Sequence, residues 1–219
     1  MIKVYGVHDS PFVRKVFIAL DIKGVAYEIV RQMPFSGDEE YKKINPLAKV
    51  PTLVDGDLTI GDSKVICRCI DNAYPDPALY PADAADKARA DWFEELGGTY
   101  VTELATGIFF QRFMRPFAFK QEPDEKLVAD IIDNKLPPIL NYLEGEIPAN
   151  GFIFGEFTLA DLSIVSPFIN ASYANYTVDS SKWPNLAGLI DRVKAIPQVA
   201  TILAKEAETM GLKTNSATS

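Results

Sequence analysis

Every stretch of this chain that reads as β-strand lies before residue 62, and everything after residue 82 is patterned for helix alone. Between the two stands Tyr74-Pro75-Asp76-Pro77-Ala78-Leu79-Tyr80-Pro81, with three prolines in eight residues. Proline removes a backbone donor and fixes φ, so this stretch supports neither helix nor strand and reads as a linker. At 219 residues the chain is long enough for two cores. An α/β domain over residues 1–78 followed by an all-helical domain over residues 86–212 is therefore expected.

Within the first part, Ile2 to Val7 alternates as a strand, and Val13, Val16, Phe17 and Leu20 recur at helical spacing from Pro11 to Lys23, ending at Gly24. Ala26 to Val30 reads as a second strand, and Ser36 to Lys43 as a loop with a short helix. Thr52 to Ile60 reads as a hairpin turning at Asp55-Gly56, because glycine accepts the positive φ of a primed turn. Ser63 to Ala73 closes the domain as a helix. The second part carries helical patterns over Asp83 to Phe110 or beyond, Asp124 to Glu146, Leu159 to Tyr173, and Asn185 to Met210 with a break at Pro197. Thr158 with Asp161 three residues later forms a capping-box pattern at the start of the third, which is a folding signal rather than a catalytic one. The tail from Lys213 to Ser219 reads as frayed.

A net charge of -8 argues against a nucleic-acid surface, which needs clustered Lys and Arg to displace phosphate counterions. The start enters a strand directly, without the charged-then-apolar layout of a secretion signal, and no apolar run reaches membrane-spanning length. Cys67 and Cys69, the two cysteines, sit two apart on a helix, so they point in different directions and cannot easily bridge. With His8 far away in sequence, no metal site is expected, and the setting reads as reducing and cytoplasmic.

Three segments carry the chemistry: Ser10-Pro11-Phe12, Lys49-Val50-Pro51 and Asp62-Ser63. Ser10 precedes a proline at the first helical position, so its hydroxyl lies where helix N–H groups converge. By itself it reads as a plain N-cap rather than as a catalytic group. The three together, on a β-α-β, β-β-α, all-helical order, resemble the cytosolic glutathione transferases of a serine-type, theta-like or related bacterial kind, over essentially the whole chain. That resemblance implies a thioredoxin-like N-terminal domain, a helical-bundle C-terminal domain and a homodimer. It also implies glutathione as co-substrate with no other cofactor.

In such a protein Ser10 donates to the glutathione sulfur and favours the thiolate over the thiol. Val50, before a cis Pro51, pairs with the glutathione backbone, Lys49 meets the glycyl carboxylate, and Asp62 with Ser63 holds the γ-glutamyl end. Many relatives carry Glu where this chain has Asp62, one methylene shorter. Arg14, one turn after Ser10, reads either as a second cation or as a structural arginine. Phe109 and Phe113 fall on one helical stripe that reads as core or as a pocket for a small hydrophobic electrophile, with Phe12 and Phe35 offered from the other domain. The expected activity is conjugation of glutathione to such electrophiles. The alternatives are a glutathione-transferase-like binding or interaction module, and an isomerase, dehalogenase or peroxidase using the same thiolate.

Overall fold

The computed structural model describes residues 1–211, so the expectations for residue 212 and for the 213–219 tail lie outside the described residues. The chain forms two compact units, one of Met1–Ala78 joined by the chain from Ile196 onward, the other of Leu79–Ala195. The first has a thioredoxin-like arrangement: β1 (Ile2–Gly6), α1 (Pro11–Lys23), β2 (Tyr27–Arg31), α2 (Glu39–Ile44), β3 (Thr52–Asp55), β4 (Leu58–Gly61) and α3 (Ser63–Ala73). Its four strands run in the order β2-β1-β3-β4, with β2 parallel to β1 and both later pairings antiparallel. α1 ends where expected, at Gly24 with φ of 65°, a left-handed value that costs glycine little. The hairpin pairs Asp55 with Leu58, so its turn is Gly56-Asp57, one residue later than expected, with the positive φ of 57° falling on Gly56.

The second unit is all-helical, and among the described residues no helix is long and apolar enough to cross a membrane. It comprises α4 (Ala84–Leu96), α5 (Thr102–Phe109), α6 (Glu125–Asp130), α7 (Leu136–Glu146), α8 (Leu159–Tyr173) and α9 (Pro184–Lys194). The expected helix from residue 83 is real but not uniform. Wider π-type turns at Gly97–Val101 and Phe110–Phe119 flank α5, and another at Ile131–Lys135 joins α6 to α7. α8 is the axis of this unit, buried continuously from Leu159 to Ala171 against α4, α5 and α9. Its start is fixed by Asp161, whose carboxylate accepts from the Thr158 amide at 2.8 Å, the Thr158 hydroxyl at 2.9 Å and the Ile153 amide at 2.9 Å. Burial pushes the Asp161 carboxyl above its ordinary value, while these donors act the other way.

α10 (Pro197–Thr209) packs on α1 and clusters with the first compact unit. Its Glu206 forms a buried ion pair with Arg14, 192 residues away, which no local pattern announces.

Close approach of α4's continuation to α8 depends on Gly97, where an added Cβ would lie 2.4 Å from the Ser163 carbonyl oxygen. Backbone cannot yield as a flexible side chain can, so Gly97→Ala should destabilise the protein by about 2–3 kcal/mol, as overpacked cores do. Urea unfolding should show a lowered midpoint. An unchanged midpoint would mean that α8 can slide aside.

Candidate functional site

Register in the sheet decides which loops meet. Tyr5 of β1 faces Thr52 of β3, and Thr52 faces Gly61 of β4, so these three residues lie side by side across three strands. Gly6 pairs with Arg31, the last residue of β2. The segments that follow β1, precede β3, follow β4 and follow β2 therefore all leave one end of the sheet. Those segments carry Ser10 and Phe12, Lys49 to Pro51, Asp62 and Ser63, and Phe35. The Phe35 amide donates to the Ala48 carbonyl at 2.9 Å, tying two of these loops together.

Ser10 is the N-cap of α1, with extended φ and ψ of -79° and 124°, and its hydroxyl oxygen accepts from the Val13 amide at 3.4 Å. That bond uses the oxygen as acceptor. Among the described residues, nothing accepts the hydroxyl proton, so it remains able to donate. The first turn of α1 holds no acidic side chain to compete for its N–H groups. Phe12, half-buried, sits in that same turn.

The Val50-Pro51 bond is cis, and both residues are buried. A polar cluster that sequence reading missed holds the approach to it. The Tyr41 hydroxyl donates to the Lys49 carbonyl at 2.6 Å and shares a 2.8 Å bond with the Thr52 hydroxyl. Asn45 Nδ2 donates to the same carbonyl at 3.1 Å and to Thr52 Oγ1 at 2.9 Å. The Asn45 amide also takes the space over Gly61, where a Cβ would lie 3.1 Å from Nδ2. The only signal in the sequence was three polar residues, Tyr41, Asn45 and Thr52, around a proline-rich turn. Burial pushes the Tyr41 phenol above its ordinary value. The Lys49 side chain itself is exposed and has no partner among the described residues.

Asp62 has φ of 75° and ψ of 120°, a region that L-residues rarely occupy and that stores backbone strain of about 1–3 kcal/mol. Its Oδ1 caps α3 by accepting from the amides of Lys64 at 2.9 Å and Val65 at 3.2 Å. Oδ2 accepts nothing among the described residues. Ser63 is buried at the first position of α3, and its hydroxyl likewise makes no hydrogen bond among them.

Arg14 is not a second cation for a ligand. It is fully buried and paired with Glu206, because the face of α1 one turn after Ser10 looks inward. Phe35 is 72% exposed with φ of 54°. In the second unit, Phe109 is buried and stacks on Phe113 with ring centroids 5.0 Å apart, and Phe113 stacks on Phe117 at 5.9 Å. The stripe thus runs from the core at Phe109 to solvent at Phe117. A separate groove of about 400 Å³ in this unit is lined by Leu104, Phe110, Leu127 and Ile131, with Glu103 and Lys135 beside them.

Residues 4–78 match the family model "Glutathione S-transferase, N-terminal domain", and residues 109–206 match "Glutathione S-transferase, C-terminal domain". Glutathione S-transferase Z2 of Arabidopsis thaliana is 30% identical over 205 residues, covering 90% of this chain and 87% of that protein. The chain belongs to the glutathione S-transferase family. A zeta class glutathione S-transferase of Euphorbia esula is also 30% identical, over 203 residues, covering 90% of this chain and 87% of the relative. Among solved structures, a glutathione S-transferase from Rhodospirillum rubrum F11 superposes with a TM-score of 0.84 at 25% identity, covering 99% of this chain and 95% of the other. This transferase therefore has the family's thioredoxin-like N-terminal sheet and helical C-terminal part, and a glutathione-transferase-type activity.

Proposed function

We propose that this chain activates the thiol of glutathione with Ser10 and transfers the resulting thiolate to a small hydrophobic electrophile. One observation carries the reading. Four polar groups on loops leaving the same end of one sheet, the Ser10 hydroxyl proton, the Lys49 ammonium, Asp62 Oδ2 and the Ser63 hydroxyl, have no partner among the described residues. Each matches a different part of the tripeptide. The Ser63 hydroxyl and the α3 N-terminus suit the α-carboxylate, and Asp62 suits the ammonium beside it. Lys49 suits the glycyl carboxylate, and Val50 the cysteinyl backbone next to cis Pro51. Ser10 and the α1 N-terminus then face the sulfur, where a donor and a helix dipole favour negative charge.

Within the second unit, the stacked Phe113 and Phe117 are an apolar aromatic surface of the kind that suits a hydrophobic acceptor. A second reading, isomerisation through the same thiolate, draws support from the zeta class relative, since the acceptor alone separates it from conjugation. A binding module without catalysis fits less well, because it has no use for an unspent hydroxyl at Ser10.

A homodimer is proposed through Lys64 to Asp71 and Ala88 to Tyr100. Val65, Trp92 and Tyr100 on these segments are 52%, 48% and 58% exposed, apolar surface that a partner subunit would cover. Sedimentation velocity at micromolar concentration should give a dimer; a monomer removes the proposal.

Asp62→Asn keeps an oxygen for the cap and removes the charge. Glutathione affinity by calorimetry should weaken about tenfold or more, from a charged hydrogen bond worth about 1.5–3 kcal/mol, while kcat at saturation changes little. Unchanged affinity would leave Asp62 as a helix cap only. Ser10→Ala should leave affinity within about threefold and lower kcat about ten- to a hundredfold at neutral pH. The rising limb of the pH–rate profile should move to higher pH, because less thiolate forms without the donor. An alanine variant with unaltered kcat and profile would assign activation to another group.

A further inference from the structure

The ion pair between Arg14 and Glu206 is the most deeply buried charged contact described in the first unit. Both side chains are fully inaccessible, and the guanidinium engages the carboxylate through two nitrogens, Nε reaching Oε2 at 2.9 Å and Nη2 reaching Oε1. Burying two charges costs several kcal/mol per ion before their attraction is counted, and an apolar pair of equal volume often serves stability as well. Stability alone therefore does not account for these residue types at this place.

Their place is specific. The Arg14 amide donates to the Ser10 carbonyl at 2.9 Å, the first helical hydrogen bond of α1, while the Arg14 side chain is gripped by Glu206 from α10. One residue thus links the α10 carboxylate to the backbone that carries the Ser10 hydroxyl. Val13, whose amide donates to that hydroxyl oxygen, is wedged against Gly6, where an added Cβ would lie 2.5 Å from Val13 Cγ2. Ser10 is consequently held from the strand side by Val13 and from the α10 side by Arg14. We infer that Arg14 and Glu206 are positioning residues for the transferase reaction, aiming the Ser10 hydroxyl at the glutathione sulfur by clamping the first turn of α1 onto α10.

Other charged groups lie near this clamp. Burial raises the Glu206 carboxyl, the Arg14 guanidinium opposes that, and Asp9 adds to it. Burial and then Lys205 push the His8 imidazole below its ordinary value, while Asp9 acts the other way. A guanidinium near a helix N-terminus is unfavourable by itself, and the Glu206 carboxylate cancels it. The clamp therefore fixes geometry without adding net charge one turn from the sulfur.

This inference rests on the assignment of Ser10 as thiol activator, and its test separates the two. The thiol pKa of bound glutathione is read from ultraviolet thiolate absorbance in the full-length wild type, Ser10→Ala, Glu206→Gln, and the combined Ser10→Ala, Glu206→Gln protein. Glu206→Gln should raise that pKa by about one unit, equivalent to about tenfold less thiolate at a given pH below it. Glutathione affinity should stay within about threefold. In the Ser10→Ala background, Glu206→Gln should add no further rise, because the route through Ser10 is already gone.

Loss of the Glu206 charge acting directly through space would do the opposite. It would remove a negative charge from the surroundings of the bound thiol and lower the thiol pKa, so a fall overturns the positioning role, as does no change in a folded variant. Should Glu206→Gln not fold, the Arg14→Met, Glu206→Leu double variant fills the same space without buried charge. It must show the same rise, and a wild-type value there, or failure of both variants to fold, leaves the pair a determinant of folding only. Equal thiol pKa values in wild type and Ser10→Ala would overturn the Ser10 assignment and this inference with it. A rise in Ser10→Ala without one in Glu206→Gln overturns this inference alone.

Discussion

Side-by-side alignment of Tyr5, Thr52 and Gly61 across β1, β3 and β4 is the constraint on which the candidate site depends. Strand pairing fixes side chains with a period of two, so a slip of one residue would turn each strand's buried face outward. With Val4 and Leu53 paired and buried on the same sheet, that slip is costly. The loops bearing Ser10, Lys49 and Asp62 are thus delivered to one end of the sheet by core packing. None of the three has to find the others.

Local devices then orient what the sheet delivers. Tyr41, Asn45 and Thr52 form a buried network in which one backbone carbonyl, that of Lys49, receives two donors. This holds the segment before Pro51 while leaving the Lys49 ammonium outward. At Asp62 the division is between two oxygens of one carboxylate, with Oδ1 capping α3 and Oδ2 unengaged among the described residues. At Ser10 it is between the acceptor and donor capacities of one hydroxyl. In each case the fold satisfies half of a polar group and leaves the other half unengaged among the described residues.

The second unit solves a different problem, since α8 is apolar on nearly all sides and must be surrounded. Gly97 permits the close crossing that this requires, and the phenylalanine stripe passes from buried Phe109 at the end of α5 to exposed Phe117 in the wide turn that follows it.

What the sequence by itself determined was local. Helix starts at Ser10, Asp62 and Thr158, the stop at Gly24 and the proline-rich boundary all follow from short-range sterics and backbone hydrogen bonding, which a few neighbouring residues dictate. The segments proposed to hold glutathione stand out in the sequence for the same reason, each being a short motif at a helix or strand start. Only the tertiary structure decided what Arg14 does, where α10 belongs, and that Tyr41, Asn45 and Thr52 act together. Those outcomes depend on which buried charge meets which across 192 residues, or on polar groups that find one another between α2, β3 and the loop joining them. Periodicity records which face of an element is buried; it holds no record of the element that buries it.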